Sequence, residues 1–514
     1  MYGPQVTAEP RPLTHLLDDA LVHRAHHVAL RMDAVDWSYQ ELAGLVDRFA
    51  DYLAGLGVGR GSRLALCAGN NVEFVGVVLA TARLGATLVM VSTAWREREV
   101  AHAVSLTDPT HIVHDGAGAA RLDQLVTDRP VIRLDAVRAH ADALRSIPGA
   151  GHQRHGEVGL DDVAVVVFSS GTTGLPKAVL HSHRTMHHAI LHWIVSLGMT
   201  SDDRLQIATP PSHILGLLNL LAVVAAGASV RLHRRFDLDA VLTAIESDRI
   251  TIEMAVAPIA LAIAAHPHLE QFDLSSLRYL MWGATPVTPS VAETIHRRCG
   301  VGVLPAYGAS ELPVIAVNPV DRPEQWRLDS VGLTPPGVEL RVVDLETGAV
   351  LGPGSAGELQ GRSPSSMLGY LPAEANDAAF VDGWYRTGDV GAIDADGWVT
   401  ITDRVKEMIK VNGFQVAPAE IEAVLLGHPD VVDCAVYGIA HERTGEAVVA
   451  AVVLAADSAA TADELRTLVA DSLAGYKRIH EIRLLAQIPR LPSGKVLRRD
   501  LRATHLPEES RAAG

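Results

Sequence analysis

Hydrophobic residues in the first 300 positions of the chain follow two alternating periods. Residues 39–57 place apolar side chains at helical spacing and end on glycine, and residues 62–68 form a short apolar run typical of a strand. The same pair recurs at 71–85 and 86–92. This alternation continues past residue 300 and predicts parallel β-sheets that are covered by helices.

The pattern changes twice in the second half of the chain. From about 329 to 402, short strands such as 338–344 and 397–403 are separated by Gly, Pro and Asp turns, which indicates a small β-rich unit. After Arg404 the pattern predicts helices at 417–429 and 461–475 and strands at 431–439, 446–454 and 481–488. We therefore expect an α/β chain with an N-terminal domain at 1–403 and a compact α+β domain at 404–514.

Composition and charge narrow the class of protein. Of the 514 residues, 48% are hydrophobic, so the chain can bury a substantial core. A formal charge of -16 at pH 7 disfavours nucleic acid and anionic membranes as main partners. The most apolar run, residues 215–230, is too short for a bilayer and predicts a buried helix, so membrane insertion is not expected.

The N-terminal residues and the cysteines indicate the cellular compartment in which the protein is expected. Residues 1–17 contain no charged segment followed by an apolar one, and the 3 cysteines are scattered without metal-binding spacing. A cytoplasmic location under reducing conditions is the expectation.

Four histidines recur at a spacing of four residues on a predicted helix. His183 precedes His187, and His188 precedes His192, an arrangement that can bind zinc. No third ligand of the required kind is evident, so the sequence favours histidines on a polar helix face.

A run of small residues follows the apolar strand at 163–168. It consists of Ser169, Ser170, Gly171, Thr172, Thr173 and Gly174, and Lys177 comes shortly after it. Small residues let backbone N–H groups approach a ligand and the lysine adds a positive charge, so the segment suits a polyphosphate. It is not a Walker A loop, because Ala178 stands where that loop has Ser or Thr. Any metal ligand must therefore come from elsewhere.

Four further segments appear in a specific order after this loop. They are "AYGASEL" (306–312), "GWYRTGDVG" (383–391), "DRVKEMIKVNGFQVAPAEIE" (403–422) and "PRLPSGKVLRRDL" (489–501). Together with the loop they resemble the adenylate-forming enzymes, which include acyl-CoA synthetases, carrier-protein adenylation domains and firefly luciferase. The likeness covers roughly residues 12–503 and is nearest to acyl- and aryl-CoA ligases of the 4-coumarate type.

The resemblance implies a fold and a reaction. The fold has a large N-terminal domain, made of two α/β subdomains and a small β-rich subdomain, and a small mobile α+β C-terminal domain. The reaction converts a carboxylic acid and ATP to an acyl-adenylate, and coenzyme A then displaces AMP to form a thioester.

The resemblance also implies roles for individual residues around the nucleotide. Glu311 would hold Mg²⁺, Asp389 would accept both ribose hydroxyls with support from Arg404, and Tyr307 would lie against adenine. Lys495 would bridge the carboxylate and the α-phosphate. The other implied nucleotide-binding positions are Ser169, Ser170, Gly171, Thr172, Thr173, Gly174, Lys177, Gly283, Ala284, Gly308, Ser310 and Gln415. Lys410 and His213 complete the catalytic positions.

An acid pocket, a thiol path and a hinge follow from the same likeness. The pocket would be lined by His213, Leu215, Gly216, Asn219, Ala257, Ile259, Gly283 and Ala284. These residues are mostly small or apolar, which favours a bulky hydrophobic, aryl or fatty carboxylic acid with Asn219 as a polar contact. Gly413 would lie on the coenzyme A path, and Lys406 would be the hinge, with Asp403 as the alternative.

Three other functions stay open from the sequence. The thiol acceptor could be the phosphopantetheine of a carrier protein. A ligase specialised for the thioester step could use an adenylate made elsewhere, and Ala178, where the family has glycine, is the one hint of this. The third is a non-catalytic nucleotide-binding protein. A homodimer also stays open.

Overall fold

The computed structural model describes residues 9–116, 129–144, 158–169, 176–284, 287, 289–412, 414–441, 443–456, 458–490 and 496–504. The helices are α1 (Asp18–Arg24), α2 (Tyr39–Gly55), α3 (Val72–Arg83), α4 (Glu97–Thr107), α5 (Leu134–Leu144), α6 (His183–Ser196), α7 (Ile214–Ala226), α8 (Leu238–Asp248), α9 (Ala257–Ala265), α10 (Pro289–Cys299), α11 (Pro418–Leu426), α12 (Ala462–Ser472) and α13 (Arg498–Ala503).

The strands are β1 (Val28–Met32), β2 (Val35–Ser38), β3 (Arg63–Cys67), β4 (Thr87–Met90), β5 (His111–His114), β6 (Val131–Arg133), β7 (Val163–Ser169), β8 (Lys177–Ser182), β9 (Arg204–Ile207), β10 (Ser229–Leu232), β11 (Ile252–Ala255), β12 (Tyr279–Trp282), β13 (Val303–Tyr307), β14 (Ala316–Val317), β15 (Glu339–Val343), β16 (Gly357–Arg362), β17 (Gly369–Leu371), β18 (Phe380–Val381), β19 (Trp384–Ile393), β20 (Val399–Arg404), β21 (Ile409–Val411), β22 (Phe414–Val416), β23 (Val431–His441), β24 (Gly445–Leu454) and β25 (Glu481–Leu484).

Two sheets with parallel centres form the first part of the molecule. Within the described ranges, one sheet has 8 strands in the order β14-β13-β12-β11-β9-β10-β1-β2, and the other has 7 in the order β17-β8-β7-β4-β3-β5-β6. The central strands are parallel, which confirms the α/β fold class. The prediction of parallel sheets was wrong at the edges, where β2, β14, β8 and β17 run antiparallel to their neighbours. Between β1 and β2 a short turn at Asp33 lets the chain reverse without a crossover helix, whereas β17 reaches β8 from a distant part of the sequence.

The predicted helices at 39–57 and 71–85 are confirmed as α2 and α3. Ser38 begins α2 with a capping box that involves Glu41, and the Asn71 side chain accepts a hydrogen bond from the first turn of α3. The two helices pack closely because Gly76 has no side chain. A Cβ there would lie 2.7 Å from the Phe49 ring.

The last two sheets are mainly antiparallel. One joins β15, β16, β19 and β18, with β20 paired to β19, and matches the predicted β-rich unit. The other joins β22, β21, β24 and β23, with β25 parallel to β24. Helices α11 and α12 cover this last sheet around its own hydrophobic core, which includes Val416, Ile421, Val436 and Leu465. The predicted α+β organisation of the C-terminal part is confirmed.

Two of the four histidines of α6, His183 and His192, do not lie on a polar face, so the prediction was wrong for them, whereas His187 and His188 are partly buried. His183 and His192 are 0% and 1% exposed, because other segments of the chain cover the helix. His183 Nδ1 accepts from the backbone N–H of Leu13 at 3.2 Å, and His192 Nδ1 lies 3.3 Å from Ser365 Oγ. Burial lowers the pKa of both histidines to about 4. Among the described residues, no group of three or more His, Cys, Asp or Glu side chains is arranged to hold a metal ion.

The apolar run at 215–230 forms α7 and then enters β10. Gly227, with φ +68°, ends the helix in the left-handed conformation. In the described part of the chain, no helix combines the length and the hydropathy needed to cross a bilayer.

Candidate active site

Candidate site residues follow the carboxyl ends of strands in the eight-stranded sheet. His213 lies beyond β9, Ala257 beyond β11, and Gly283 and Ala284 directly beyond β12. Because the central strands are parallel, their carboxyl ends meet at one edge of the sheet. That edge is where open α/β sheets form ligand clefts.

A tight turn after β13 presents Ser310 and Glu311 beside this edge. A Cβ on Gly308 would lie 2.1 Å from the Pro313 carbonyl oxygen, so the turn needs glycine at this position. The Ser310 carbonyl accepts a hydrogen bond from His181 Nε2 at 2.7 Å. Glu311 Oε1 accepts from the Tyr370 hydroxyl at 2.6 Å. Contacts from two other strands therefore fix the conformation of this short segment.

A second polar group forms around Asp389 on β19. Asp389 pairs across the sheet with Arg404 on β20, and Arg404 Nε lies 2.8 Å from Asp389 Oδ1. The Tyr307 hydroxyl donates to Asp389 Oδ2 at 2.5 Å. Burial and the Asp389 charge raise the pKa of Tyr307 well above its usual value, so this phenol keeps its proton and donates. Each Asp389 oxygen thus accepts from one side-chain donor among the residues that the structure describes.

The two ends of the small-residue loop are held by a strand pair. Ser169 at the end of β7 is directly opposite Lys177 at the start of β8. Lys177 Nζ lies 4.6 Å from the centre of the Tyr370 ring. Ala178 is 0% exposed and packs in a hydrophobic cluster with Phe168 and Val166. Since side chains alternate along a strand, the Ala178 methyl and the Lys177 ammonium lie on opposite faces.

The Glu311 and Asp389 groups interact electrostatically. The negative charge of Asp389 raises the pKa of Arg404, and the Glu311 charge adds to this effect. Glu311 and Asp389 are both only 6% exposed. The structure thus brings together two buried carboxylates and the cation Arg404, drawn from segments far apart in the sequence.

The acid-pocket residues divide into two groups. His213 is exposed at the start of α7, Ala284 is exposed, and Ala257 and Leu215 are partly buried. Gly216 is buried against Pro211, and Ile259 is buried in a second core cluster. Asn219 is 3% exposed, and its Oδ1 accepts from Trp193 Nε1 at 2.7 Å. Asn219 Oδ1 is thus used by Trp193 inside the core, and its role as a polar contact of the acid stays a prediction.

The C-terminal site residues are less completely described. Lys410 is exposed on β21 and its backbone N–H donates to Glu446. Asp403 accepts hydrogen bonds from the backbone N–H groups of Arg404 and Ala419, and burial raises its pKa to about 6. Residues 170–174, Gly413 and Lys495, the side chain of Gln415, and hence their predicted roles, lie outside the described residues.

Two residues of the site were not singled out from the sequence. Tyr370 reaches Glu311 and Lys177, and His181 reaches Ser310. Both depend on the pairing of β8 with its neighbours, which brings residues far apart in the chain together. The sequence pattern predicts no strand at either residue, and a single polar side chain in a short segment does not identify its partner.

Comparisons with known proteins agree with this geometry. The 4-coumarate–CoA ligase 3 of Oryza sativa subsp. japonica is 34% identical over 481 residues, which cover 91% of this chain and 87% of that protein. The solved structure of ATP-bound MatB from Rhodopseudomonas palustris is similar with a TM-score of 0.89 at 28% identity, covering 97% of this chain and 99% of MatB.

A second solved structure is o-succinylbenzoate CoA synthetase (MenE) from Bacillus subtilis in complex with its acyl-adenylate intermediate. It has a TM-score of 0.85 at 27% identity and covers 96% of this chain and 99% of MenE. The AMP-binding enzyme profile matches residues 17–371, and the AMP-binding enzyme C-terminal domain profile matches residues 420–495. The chain therefore belongs to the AMP-binding enzyme family.

Proposed function

We propose that this protein is an AMP-forming ligase that joins a hydrophobic carboxylic acid to coenzyme A at the expense of ATP. The observation that supports this most strongly is the contact of Arg404 and Tyr307 with the buried carboxylate of Asp389, beside the buried Glu311, in a chain of the AMP-binding enzyme family. In the first step a carboxylate oxygen attacks the α-phosphorus, and the bond to pyrophosphate breaks. In the second step the thiolate attacks the acyl carbon, and AMP leaves.

Asp389 is suited to bind the ribose of the nucleotide. A carboxylate has about four acceptor sites on its two oxygens. Tyr307 and Arg404 use one site on each oxygen, so each oxygen keeps a site for one ribose hydroxyl. Arg404 also offsets the charge of the buried carboxylate, which otherwise would oppose a polyanionic ligand.

Lys177 and Glu311 are assigned to the phosphates and to Mg²⁺. The donor chemistry fits, because Mg²⁺ is usually held by one or two carboxylates together with substrate phosphates. When bound, Mg²⁺ would reduce the negative charge on the phosphates. Lys177, at the end of the small-residue loop, would contribute a second positive charge.

The C-terminal residues are assigned to domain closure and the thioester step. We place the boundary of the N-terminal domain at 403/404, which is one residue before the end of β20 at Arg404 and ahead of β21, where the last sheet begins. Lys495 would lie between the acid and the α-phosphate, where a cation lowers the repulsion of two anions. Lys406 or Asp403 would act as the hinge, and Gly413 would border the thiol path, with Lys410 and Gln415 nearby.

The acid itself is proposed to be bulky and apolar. Leu215, Ala257, Gly283 and Ala284 offer small or apolar surface, and no carboxylate at 210–221 could pair with an amine. The experiment is a pyrophosphate-release screen over fatty, aryl and polycyclic acids, each with and without coenzyme A. Release that depends on one of these acids supports the proposal. Amino acids are included as the comparison: release with amino acids alone would contradict the proposed substrate class, and acid-independent release would contradict the activity.

A further inference from the structure

Tyr370 touches both groups that we assign to the phosphates and the metal. Its hydroxyl lies 2.6 Å from Glu311 Oε1, and the face of its ring lies 4.6 Å from Lys177 Nζ. Between a phenol and a carboxylate the hydroxyl is the donor, so Tyr370 donates to Glu311 Oε1. One side chain therefore contacts an anion through its hydroxyl and a cation through its ring.

The backbone of Tyr370 is held from two sides. Strand β17 pairs with β8 so that Tyr370 is opposite Val179, two residues from Lys177. Asn376 accepts from the Tyr370 N–H at 2.7 Å and donates to its carbonyl at 3.3 Å. The residue is also buried. A side chain with only two rotatable bonds, fixed in this way, can define the positions of the groups that it touches.

We infer that Tyr370 is a positioning residue that sets the Glu311 carboxylate and the Lys177 ammonium for a metal–nucleotide complex. This inference depends on the roles proposed above for Glu311 and Lys177. The Tyr370 hydroxyl donates a hydrogen bond to Oε1 of Glu311. No described residue donates to Oε2 of Glu311, so that oxygen can bind a cation. The negative face of the Tyr370 ring attracts the Lys177 ammonium. Unlike a carboxylate, the ring does not neutralise the charge of the lysine, so this charge stays available for an anion.

The test compares nucleotide binding by Tyr370→Phe and by the wild type. This change removes the hydroxyl and keeps the ring over Lys177. Loss of a residue that orients a metal ligand typically weakens metal-dependent binding about 10-fold or more. For Tyr370→Phe, calorimetry should show this loss of affinity for ATP in the presence of Mg²⁺. The affinities for AMP and for ATP without Mg²⁺ should not change. Tyr370→Leu, which also removes the ring, should weaken binding of Mg²⁺-free ATP as well.

Tyr39→Phe is the matched control for loss of a buried phenol hydroxyl. The Tyr39 hydroxyl donates to the carbonyls of Val223 and Ala228, and its removal should lower the melting temperature without affecting nucleotide binding. If Tyr370→Phe behaves in the same way as Tyr39→Phe, Tyr370 is merely structural and the inference is overturned. If wild-type protein binds neither AMP nor ATP, the proposed function fails together with it. Wild-type binding with an unaffected Tyr370→Phe variant overturns this inference alone.

Discussion

The interpretation of Ala178 changes once the residues that surround its methyl group are known. In the sequence, alanine after the phosphate-loop lysine was a hint of impaired adenylate formation. In the structure its methyl is buried against Phe168 and Val166, on the face of β8 opposite to Lys177. The extra carbon thus contributes to the core, and the alternative of a ligase specialised for the thioester step loses its one supporting observation.

Ala178→Gly should therefore destabilise the protein without improving adenylate formation. A glycine in a strand and the lost methyl burial together should cost about 1 kcal/mol of unfolding free energy. Denaturant unfolding measures this cost, and pyrophosphate release measures the first half-reaction. A clear gain in pyrophosphate release would show that the methyl does obstruct the phosphate loop.

Asp389→Asn tests the ribose assignment with little change in shape. We expect AMP affinity to fall by roughly 1.5–3 kcal/mol, the usual value of a hydrogen bond to a charged group. Calorimetry with AMP and with 2′,3′-dideoxy-AMP provides the control. Wild-type protein should bind the dideoxy nucleotide more weakly than AMP, and the variant should discriminate less between the two. Equal discrimination by both proteins would remove Asp389 from the ribose site.

At the scale of elements, the sequence predicted local structure better than contacts between strands. Helices α2 and α3 and the strands after them follow from hydrophobic periodicity and glycine ends, and the structure adds the caps Ser38 and Asn71. The antiparallel edge strands and the burial of α6 could not be predicted in this way. The hydrophobic period of a segment indicates its own secondary structure, and it does not indicate which other segments of the chain pack against it. For the same reason the motif residues Asp389 and Glu311 could be identified from the sequence, whereas Tyr370, which contacts Glu311 through β17, could not.

A chain of buried hydrogen bonds links Glu253, Gln206 and His233 across three neighbouring strands. It should make the free energy of unfolding depend on pH. Gln206 on β9 donates to Glu253 on β11 at 2.6 Å and accepts from His233, which follows β10, at 2.7 Å. Burial raises the pKa of Glu253 to about 8, from 4.5 as the ordinary value. Between these values the folded protein holds a proton that the unfolded chain releases, so stability falls as the pH rises.

Glu253→Gln should remove this dependence, because the amide is neutral at every pH in the window. The slope lost should approach about 1.4 kcal/mol per pH unit at most, the value for one proton. Urea unfolding of both proteins from pH 5 to pH 8.5 measures it. Parallel stability profiles for wild type and variant would mean that Glu253 is ionised in the folded protein.

At the scale of the whole molecule, the proposed reaction requires the C-terminal part to supply a catalytic lysine, Lys495, to a site built on the N-terminal sheets. The last sheet has its own hydrophobic core, and Asp403 connects it to β20 through the N–H of Ala419 at the start of α11. Sequence motifs were sufficient to assign Lys495 to this part. The approach of Lys495 to the nucleotide depends on the relative position of the two domains, and the periodicity of the sequence does not predict that position.

The most direct test of the proposed ligase measures pyrophosphate, AMP and acyl-CoA together, with an acid from the screen, ATP, Mg²⁺ and coenzyme A. We expect equal amounts of the three products, formed only when the acid is present. Lys495→Ala is the matched variant. It should slow pyrophosphate release by on the order of 10²–10³-fold, the size of one transition-state electrostatic contact, while still converting supplied acyl-adenylate to thioester. Formation of ADP and phosphate, or pyrophosphate release without thioester, would contradict the account.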